Sequence, residues 1–475
     1  MRSTFFGIEM ARRALSAHRT NADVIGHNLA NAATEGYRKQ RARLTPTEPY
    51  DQPGHPRMII GSGVQVEEIT RKQNRYLDRE ISSRTADHSL WSKRRELLAE
   101  IQDVLSEPGD TGIDSAMDRF WNSWDELAGS ADDPALRSSL VERAGELGDS
   151  LRIALRQLNN MSDNLEQTIQ TRVQKVNGIL SELSEINGEV LALEAQGLNA
   201  NDMLDRRDVL VEELSELIDI TVTDSDDGGI AIDAGGIPVL DSHTSRSLKL
   251  GDVTGGSGGS SPAEVSFSWV TDGGSASEWE PGSGGELGAL VDVRNADLPG
   301  LIDDIVSLSD TLRQSVNDTH AEGLDLNGDP GIPFFLEGSD PGYLEVNPDI
   351  RDDPGLVAAA LPDDDGDFIG PSDGRNAHDV ASLRHGELVD GATAGDFWRA
   401  TVGDIGVRAE QAELLSENND AMLTRLKNQR DALTGVSIDE ELTHLIEAQN
   451  AFGAAARMVS VWDEMLDTVV NGMVR

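Results

Sequence analysis

Ile8-Glu-Met-Ala11-Arg-Arg-Ala-Leu15-Ser-Ala-His18-Arg-Thr-Asn-Ala22-Asp-Val-Ile25-Gly-His-Asn-Leu29 opens the chain with apolar residues at alternating spacings of three and four. The other end repeats the pattern through Leu442, Leu445, Gln449, Phe452, Ala456 and Val459, and Leu466, Val470 and Met473 continue it. Such spacing draws one narrow apolar seam along each helix, the pattern of helices that pair. A helix with one thin sticky edge has nowhere to bury it alone. Terminal segments are ordinarily the frayed part of a fold, so two strong amphipathic patterns there point to contact with something. The seam residues expected to meet are Ile8, Leu15, Ile25 and Leu29 on one helix with Leu445, Phe452, Val459 and Leu466 on the other, within a subunit or between subunits. Ala11, Ala22, Ala454, Ala455 and Ala456 allow close helix approach. The plainer reading, that each helix covers a domain core, stays open on periodicity alone.

Composition removes several function classes. The 475 residues include no cysteine, which excludes disulfides, thiolate nucleophiles and cysteine metal sites. No run of eighteen apolar residues exists, so no membrane span is expected. The first thirty residues carry Arg12, Arg13 and Asp23 and lack the apolar core of a secretory signal. Eighty-five acidic against 40 basic residues give a net charge of −45, which repels nucleic-acid phosphate. This is the balance of a large solvated surface, or of one kept soluble in a saline medium where repulsion is screened; both readings stay open.

The wording between the apolar positions is specific. His27-Asn28-Leu-Ala30-Asn31-Ala-Ala-Thr34-Glu-Gly36-Tyr37, followed by Arg38 and Gln40, resembles the N-terminal signature of flagellar axial proteins, in which Asn28, Ala30, Asn31, Thr34, Gly36 and Tyr37 fall in place. Asn31 and Gly36 both tolerate positive φ, so the helix is expected to stop here and turn into an extended segment. Near the other end, Leu433-Thr-Gly435-Val436-Ser-Ile-Asp439-Glu440-Glu441 resembles the corresponding motif of the flagellar hook-associated protein 1 (FlgK) family, with Thr434 where that family often has Ser. Ser437 with Glu440 three residues on forms a capping box that starts the last helix. Asn201-Asp-Met-Leu-Asp-Arg-Arg-Asp208, and the run through Asn317, His320, Gly323, Gly328, Gly331, Phe334 and Phe335, resemble two internal stretches of the same family. Hook and rod proteins share the ends but not these internal patches.

The resemblance implies an axial structural protein at the hook–filament junction that polymerises through its terminal helices. Implied partners are further copies of itself, hook protein, the second hook-associated junction protein, the filament cap and an export chaperone. It further implies an extracellular place on the flagellum, reached unfolded through the flagellar type III channel without signal cleavage. Other axial roles (hook, second junction protein, flagellin-like) and an axial scaffold carrying an adhesive or enzymatic outer domain remain as alternatives.

The expected fold is mainly α with an inserted β domain, in a nested discontinuous topology. Residues 1–40 and 436–475 form the coiled-coil-like terminal pair. Residues 41–219 and 289–435 form a helical bundle domain, with a mixed turn-rich region at 323–395. Residues 220–288 form a small β-rich outer domain, because Ile230, Ile232, Ile237, Val239, Val265, Phe267 and Trp269 alternate with polar residues between Gly/Ser runs. Within the bundle, Val173, Val176, Leu180, Leu183, Ile186, Val190 and Leu193 form a long heptad-like stripe.

No catalytic, cofactor-binding or metal residue is assigned. Gly255-Gly-Ser257-Gly-Gly259 matches a nucleophile elbow only formally, without its strand-turn-helix context. Asp325, Asn327 and Asp329 open like a calcium loop, but Pro330 and Leu336 occupy the positions needing Gly and Glu. The Asp363–Asp367 run reads as a solvated loop. His320, His378, His385 and His444 form no His-x-x-x-His pair.

Overall fold

The computed structural model describes residues 5–51, 59–107, 109, 112–225, 228–242, 244–251, 264–282, 284–338, 342–363, 365, 367–389 and 391–472. Met473, Pro53, Pro56, Pro108, Asp226, Asp227, the Gly255–Ser260 run, Ser283, and Asp364 and Gly366 of the acidic loop lie outside them. In chain order come α1 (Phe6–Ala30), β1 (Gln40–Pro46), β2 (Tyr50–Asp51), β3 (Ile59–Ile60), β4 (Val64–Arg71), α2 (Arg75–Leu105), α3 (Ile113–Gly129), α4 (Pro134–Glu194) and α5 (Asn201–Leu217). Six strands follow: β5 (Thr221–Asp224), β6 (Ile230–Ala234), β7 (Ile237–Leu240), β8 (Ser247–Leu250), β9 (Phe267–Val270) and β10 (Ala276–Trp279). Next are α6 (Gly285–Asp292), a π-helical turn (Val293–Asp297), α7 (Leu298–Ala321), β11 (Phe335–Glu337), β12 (Leu344–Val346), α8 (Pro348–Asp352), α9 (Arg375–Ser382), α10 (Ala394–Thr434) and α11 (Ile438–Gly472).

The chain divides into two compact units, each discontinuous in sequence. The first holds residues 1–86, 176–247 and 420–475; the second holds 87–175 and 248–419. The expected partition drew the boundaries elsewhere. The helix pair α1 and α11 shares a unit with the β1–β4 hairpin and α5, because hydrogen bonds fuse its base to them. The β-rich stretch is two antiparallel three-stranded sheets, β5-β6-β7 and β10-β9-β8, and the unit boundary passes between Ser247 and Leu248. Helix resumes at Gly285, before the expected boundary at 288, and a π turn at Val293–Asp297 links it to α7.

In the first unit, β1 and β4 pair antiparallel with a bulge at Arg43/Leu44. The stripe on α4 is apolar at the expected places: Val176, Leu180, Leu183, Ile186 and Val190 are buried, while Leu193 is half-exposed. Leu77 and Ile81 of α2 pack with Leu423 and Leu426 of α10.

The core of the second unit explains the internal motif around His320. Asn317 Nδ2 donates to the Phe335 carbonyl (2.7 Å) and its Oδ1 accepts from the Phe335 N–H (2.8 Å), so one side chain fastens β11 to α7. His320 is fully buried. Its Nδ1 lies 2.7 Å from the Ile332 carbonyl, and its Nε2 accepts from the Ala358 N–H at 2.8 Å. The ring is therefore the neutral tautomer with Nδ1 protonated. Phe334 packs against both Trp124 (centroids 5.3 Å apart) and His320 (5.5 Å). At Gly331 a Cβ would overlap the His320 carbonyl, which explains glycine there. The Asp325 carboxylate is occupied by its own turn, where Oδ1 accepts the N–H groups of Asn327 (2.7 Å) and Asp329 (2.9 Å).

Burial lowers the His320 pKa from its ordinary value to about 4; the bond to Ile332 opposes this and the charge of Arg137 adds to it. The unfolded chain thus binds this proton first. The stability from a neutral His320 is complete above about pH 6.5 and is lost as pH falls toward 4, amounting to ~3 kcal/mol. Urea unfolding of His320→Gln, followed by near-ultraviolet circular dichroism, will show that much less pH dependence across this window. An unaltered slope would contradict the assignment.

Candidate assembly interface

The two terminal helices lie against one another along their lengths. At one end, the Trp462 indole sits on Gly7 so closely that a Cβ on Gly7 would overlap the ring. At the other end, Asn28 Nδ2 donates to Glu441 Oε2 at 2.9 Å. Between them the buried residues are small: Ala11 and Ala17 on α1, Ala448 and Ala455 on α11, joined by Val24 and Ile25. Of the seam residues expected from spacing, Ile25 is buried, and Ile8, Leu15, Leu29, Leu445, Val459 and Leu466 are half-buried. Phe452 is 40% exposed, and Leu442 and Ile446 are exposed as well. The buried line on α11 runs through Glu441, Ala448 and Ala455 instead, since close packing selects small side chains. Beside it a groove of about 450 Å³ is lined by residues that include Asn21, Ile25, Leu44, His444 and Ala448.

Below the pair, the signature residues form a neck. Helix α1 ends as Asn31 N–H donates to the His27 carbonyl (3.1 Å), and the Thr34 and Tyr37 N–H groups close successive turns. Asn31 has φ −102, so it caps without positive φ, correcting the expectation; Gly36 alone takes φ +75, and a Cβ there would overlap Val209. Asn28 is saturated: Nδ2 also donates to the Gln40 carbonyl (2.9 Å), and Oδ1 accepts from the Gln40 N–H (2.9 Å) and the Tyr37 hydroxyl (2.8 Å). Burial raises the Tyr37 pKa, aided by Asp202, Asp205 and Glu441, which keeps that hydroxyl a donor.

The patch Asn201–Asp208 closes the neck. Asp202, Asp205 and Asp208 share one face of α5 at intervals of three. Asp202 accepts from Gln40 Nε2 (2.8 Å), and Asp205 accepts from the Arg38 N–H (3.2 Å) and Arg71 (2.8 Å). Asp208 accepts from Arg71 at 2.7 Å and pairs with Arg38 at 3.0 Å. Arg38 also grips Asp78 with two bonds (2.7 and 2.8 Å). Burial disfavours the Arg38 charge, but Asp208 and Asp78 outweigh it and its pKa is raised. Asp205 is raised by burial despite Arg71.

Lys39, one of six lysines in the chain, reaches Glu441 Oε1 at 2.6 Å and Glu440 at 3.3 Å, and its N–H donates to the Thr434 carbonyl at 2.9 Å. Both Lys39 and Glu441 side chains are buried. Of the remaining signature residues, Ala30, Thr34 and Asp439 are exposed, while Gly435 and Val436 are half-buried in the turn before α11, where the Gly435 N–H donates to the Asp431 carbonyl at 2.8 Å. Spacing missed Lys39, Arg71, Asp78, Gly7 and Trp462. The Asn28–Tyr37 signature and the Asn201–Asp208 patch marked the neck in advance, but not which groups they pair with.

Among the described residues, no three or more His, Cys, Asp or Glu are arranged to hold a metal, and no helix is long and apolar enough to cross a membrane.

Comparison with known proteins aligns with this geometry. The profile of the flagellar hook-associated protein FlgK helical domain matches residues 98–335. The profile of flagella basal body rod protein matches residues 8–38, and that of the flagellar basal body rod FlgEFG protein C-terminal matches residues 432–472. The chain is 28% identical to flagellar hook-associated protein 1 of Bacillus subtilis, covering 100% of this chain and 99% of that one. It is 21% identical to the protein of that name from Escherichia coli, covering 98% and 99%. In fold it resembles the flagellar hook junction protein FlgK from Burkholderia pseudomallei, with a TM-score of 0.65 over 76% of this chain and 100% of that one, at 16% identity.

Removing the Lys39 ammonium leaves the Glu441 carboxylate buried with its charge unmatched. Lys39→Met will cost ~3 kcal/mol, and adding Glu441→Gln will recover more than half. Tryptic cutting between residues 31 and 43 reads both. Equal sensitivity in single and double variants would show that the pair is not coupled.

Proposed function

The chain belongs to the FlgK family of flagellar hook-associated proteins, and from this premise we propose that it is the structural subunit joining hook to filament, polymerising through its terminal helices. It acts without catalysis. Its partners are further copies of itself, hook protein, the second hook-associated junction protein, the filament cap during growth and an export chaperone. It works outside the cell, reaching the tip unfolded through the flagellar export channel with its N-terminus uncleaved.

One observation carries this reading: the terminal pair leaves a surplus of apolar surface. Leu442, Ile446, Phe452, Met458, Val461, Met465 and Val469 are 39–60% exposed on a helix already packed against α1. Nucleating a helix is unfavourable in water, and ordering each residue costs about 1–2 kcal/mol of backbone entropy. Burial returns roughly 25 cal/mol per Å², and alanines offer little area. Neighbouring subunits supply the remaining burial, so the tips of the pair order fully on assembly.

A strain lacking this gene will carry hooks without filaments and will shed filament subunits into the medium under electron microscopy and immunoblotting. A copy carrying Ala455→Asp will be exported yet fail to restore filaments. Normal filaments in either strain would refute the proposal.

A further inference from the structure

We infer that two pins, a steric one at Gly7/Trp462 and a polar one at Asn28/Glu441, hold the terminal helices in a single register. The pair is antiparallel, since the start of α1 meets the far end of α11. Gly7 and Asn28 lie three heptads apart, and so do Glu441 and Trp462. Both pins therefore belong to one uninterrupted register. The intervening layers are Ala14 with Ala455 and Asn21 with Ala448. Asn21, Ile25, His444 and Ala448 line one groove together, as that register requires.

The pins are needed because the layers between them are nearly self-similar. Sliding one helix by a heptad again sets small residues against small residues, so apolar burial barely distinguishes the registers. A polar residue at one seam position selects register in paired helices, and buried ionic groups are best attested in that role. Here a slide in one direction carries Glu441 to Asn21. That takes it from Lys39, which the Thr434 carbonyl and the Lys72 N–H hold in place. A slide in the other direction sets Trp462 on Ala14, whose Cβ fills the space that Gly7 leaves open, and again strands Glu441. Each wrong register is thus opposed by charge, and one of them by shape as well. This inference concerns the register the two helices adopt whenever their tips come together, transiently in the dilute subunit and lastingly on assembly.

The full-length protein has no cysteine, so introduced pairs report cleanly. Ala14→Cys with Ala455→Cys reads the inferred register; Ala14→Cys with Ala448→Cys reads a one-heptad slip. Under mild oxidation in dilute solution, the first disulfide will form within the chain at least tenfold faster than the second. Glu441→Leu added to each pair will reduce that ratio at least threefold. Trp462→Leu, which leaves the neck charges intact, is read with Asn21→Cys and Ala455→Cys, which report the opposite slide, should Glu441→Leu loosen the neck; it will raise formation of that disulfide at least threefold. Equal rates in the parent pairs, no disulfide in either, or a ratio unmoved by both pin variants would overturn the inference.

Discussion

A carboxylate buried on the last helix finds its counter-charge at the opposite end of the sequence. Glu441 has Lys39 on one oxygen and Asn28 on the other. Breaking a buried pair costs far more than forming it gains, so the two termini are compelled to meet at the neck. The rest of the neck repeats the theme. Arg38 and Arg71 are buried cations whose charge is matched by Asp78, Asp205 and Asp208. Four separate segments are bound into one joint through groups that are unstable apart.

Beyond the joint the energetics change character. Small side chains bring α1 and α11 close, but each layer buries little area. The pair is therefore strong at its base and weak toward Trp462, with an apolar flank left over on α11. On the proposed function, a subunit of this kind forms its base once exported and gains the rest of its order from neighbours. The second unit needs no such help. Its aromatic core around Phe334 and the neutral His320, with backbone groups satisfied by Asn317, is complete within itself. Folding and polymerisation are thereby divided between different parts of one chain.

Much of this was legible in the sequence, and the failures share a cause. The stripe on α4 followed from periodicity, which is local. The terminal seam was legible as a seam, but not that Phe452 and Leu442 lie off the contact between α1 and α11. Large apolar residues attract the eye, whereas a tight antiparallel pair places Ala448 and Ala455 at the contact. The signature around Asn28 was visible as wording; its meaning required partners up to four hundred residues away. Asn31 seemed suited to positive φ, yet it caps α1 at φ −102 and the left-handed turn falls to Gly36. The alternating run after Ile220 revealed strands but not that they split into two sheets, because strand pairing is non-local.

The central claim is that the neck is ordered by its own charges while the tips of the helix pair depend on neighbours. Amide hydrogen exchange measured on the dilute single subunit and on assembled junctions tests it directly. The account predicts slow exchange at residues 28–40 in both states, and fast exchange at residues 6–20 and 450–472 that becomes slow only on assembly. Equally slow exchange of both tips in the isolated subunit would contradict it.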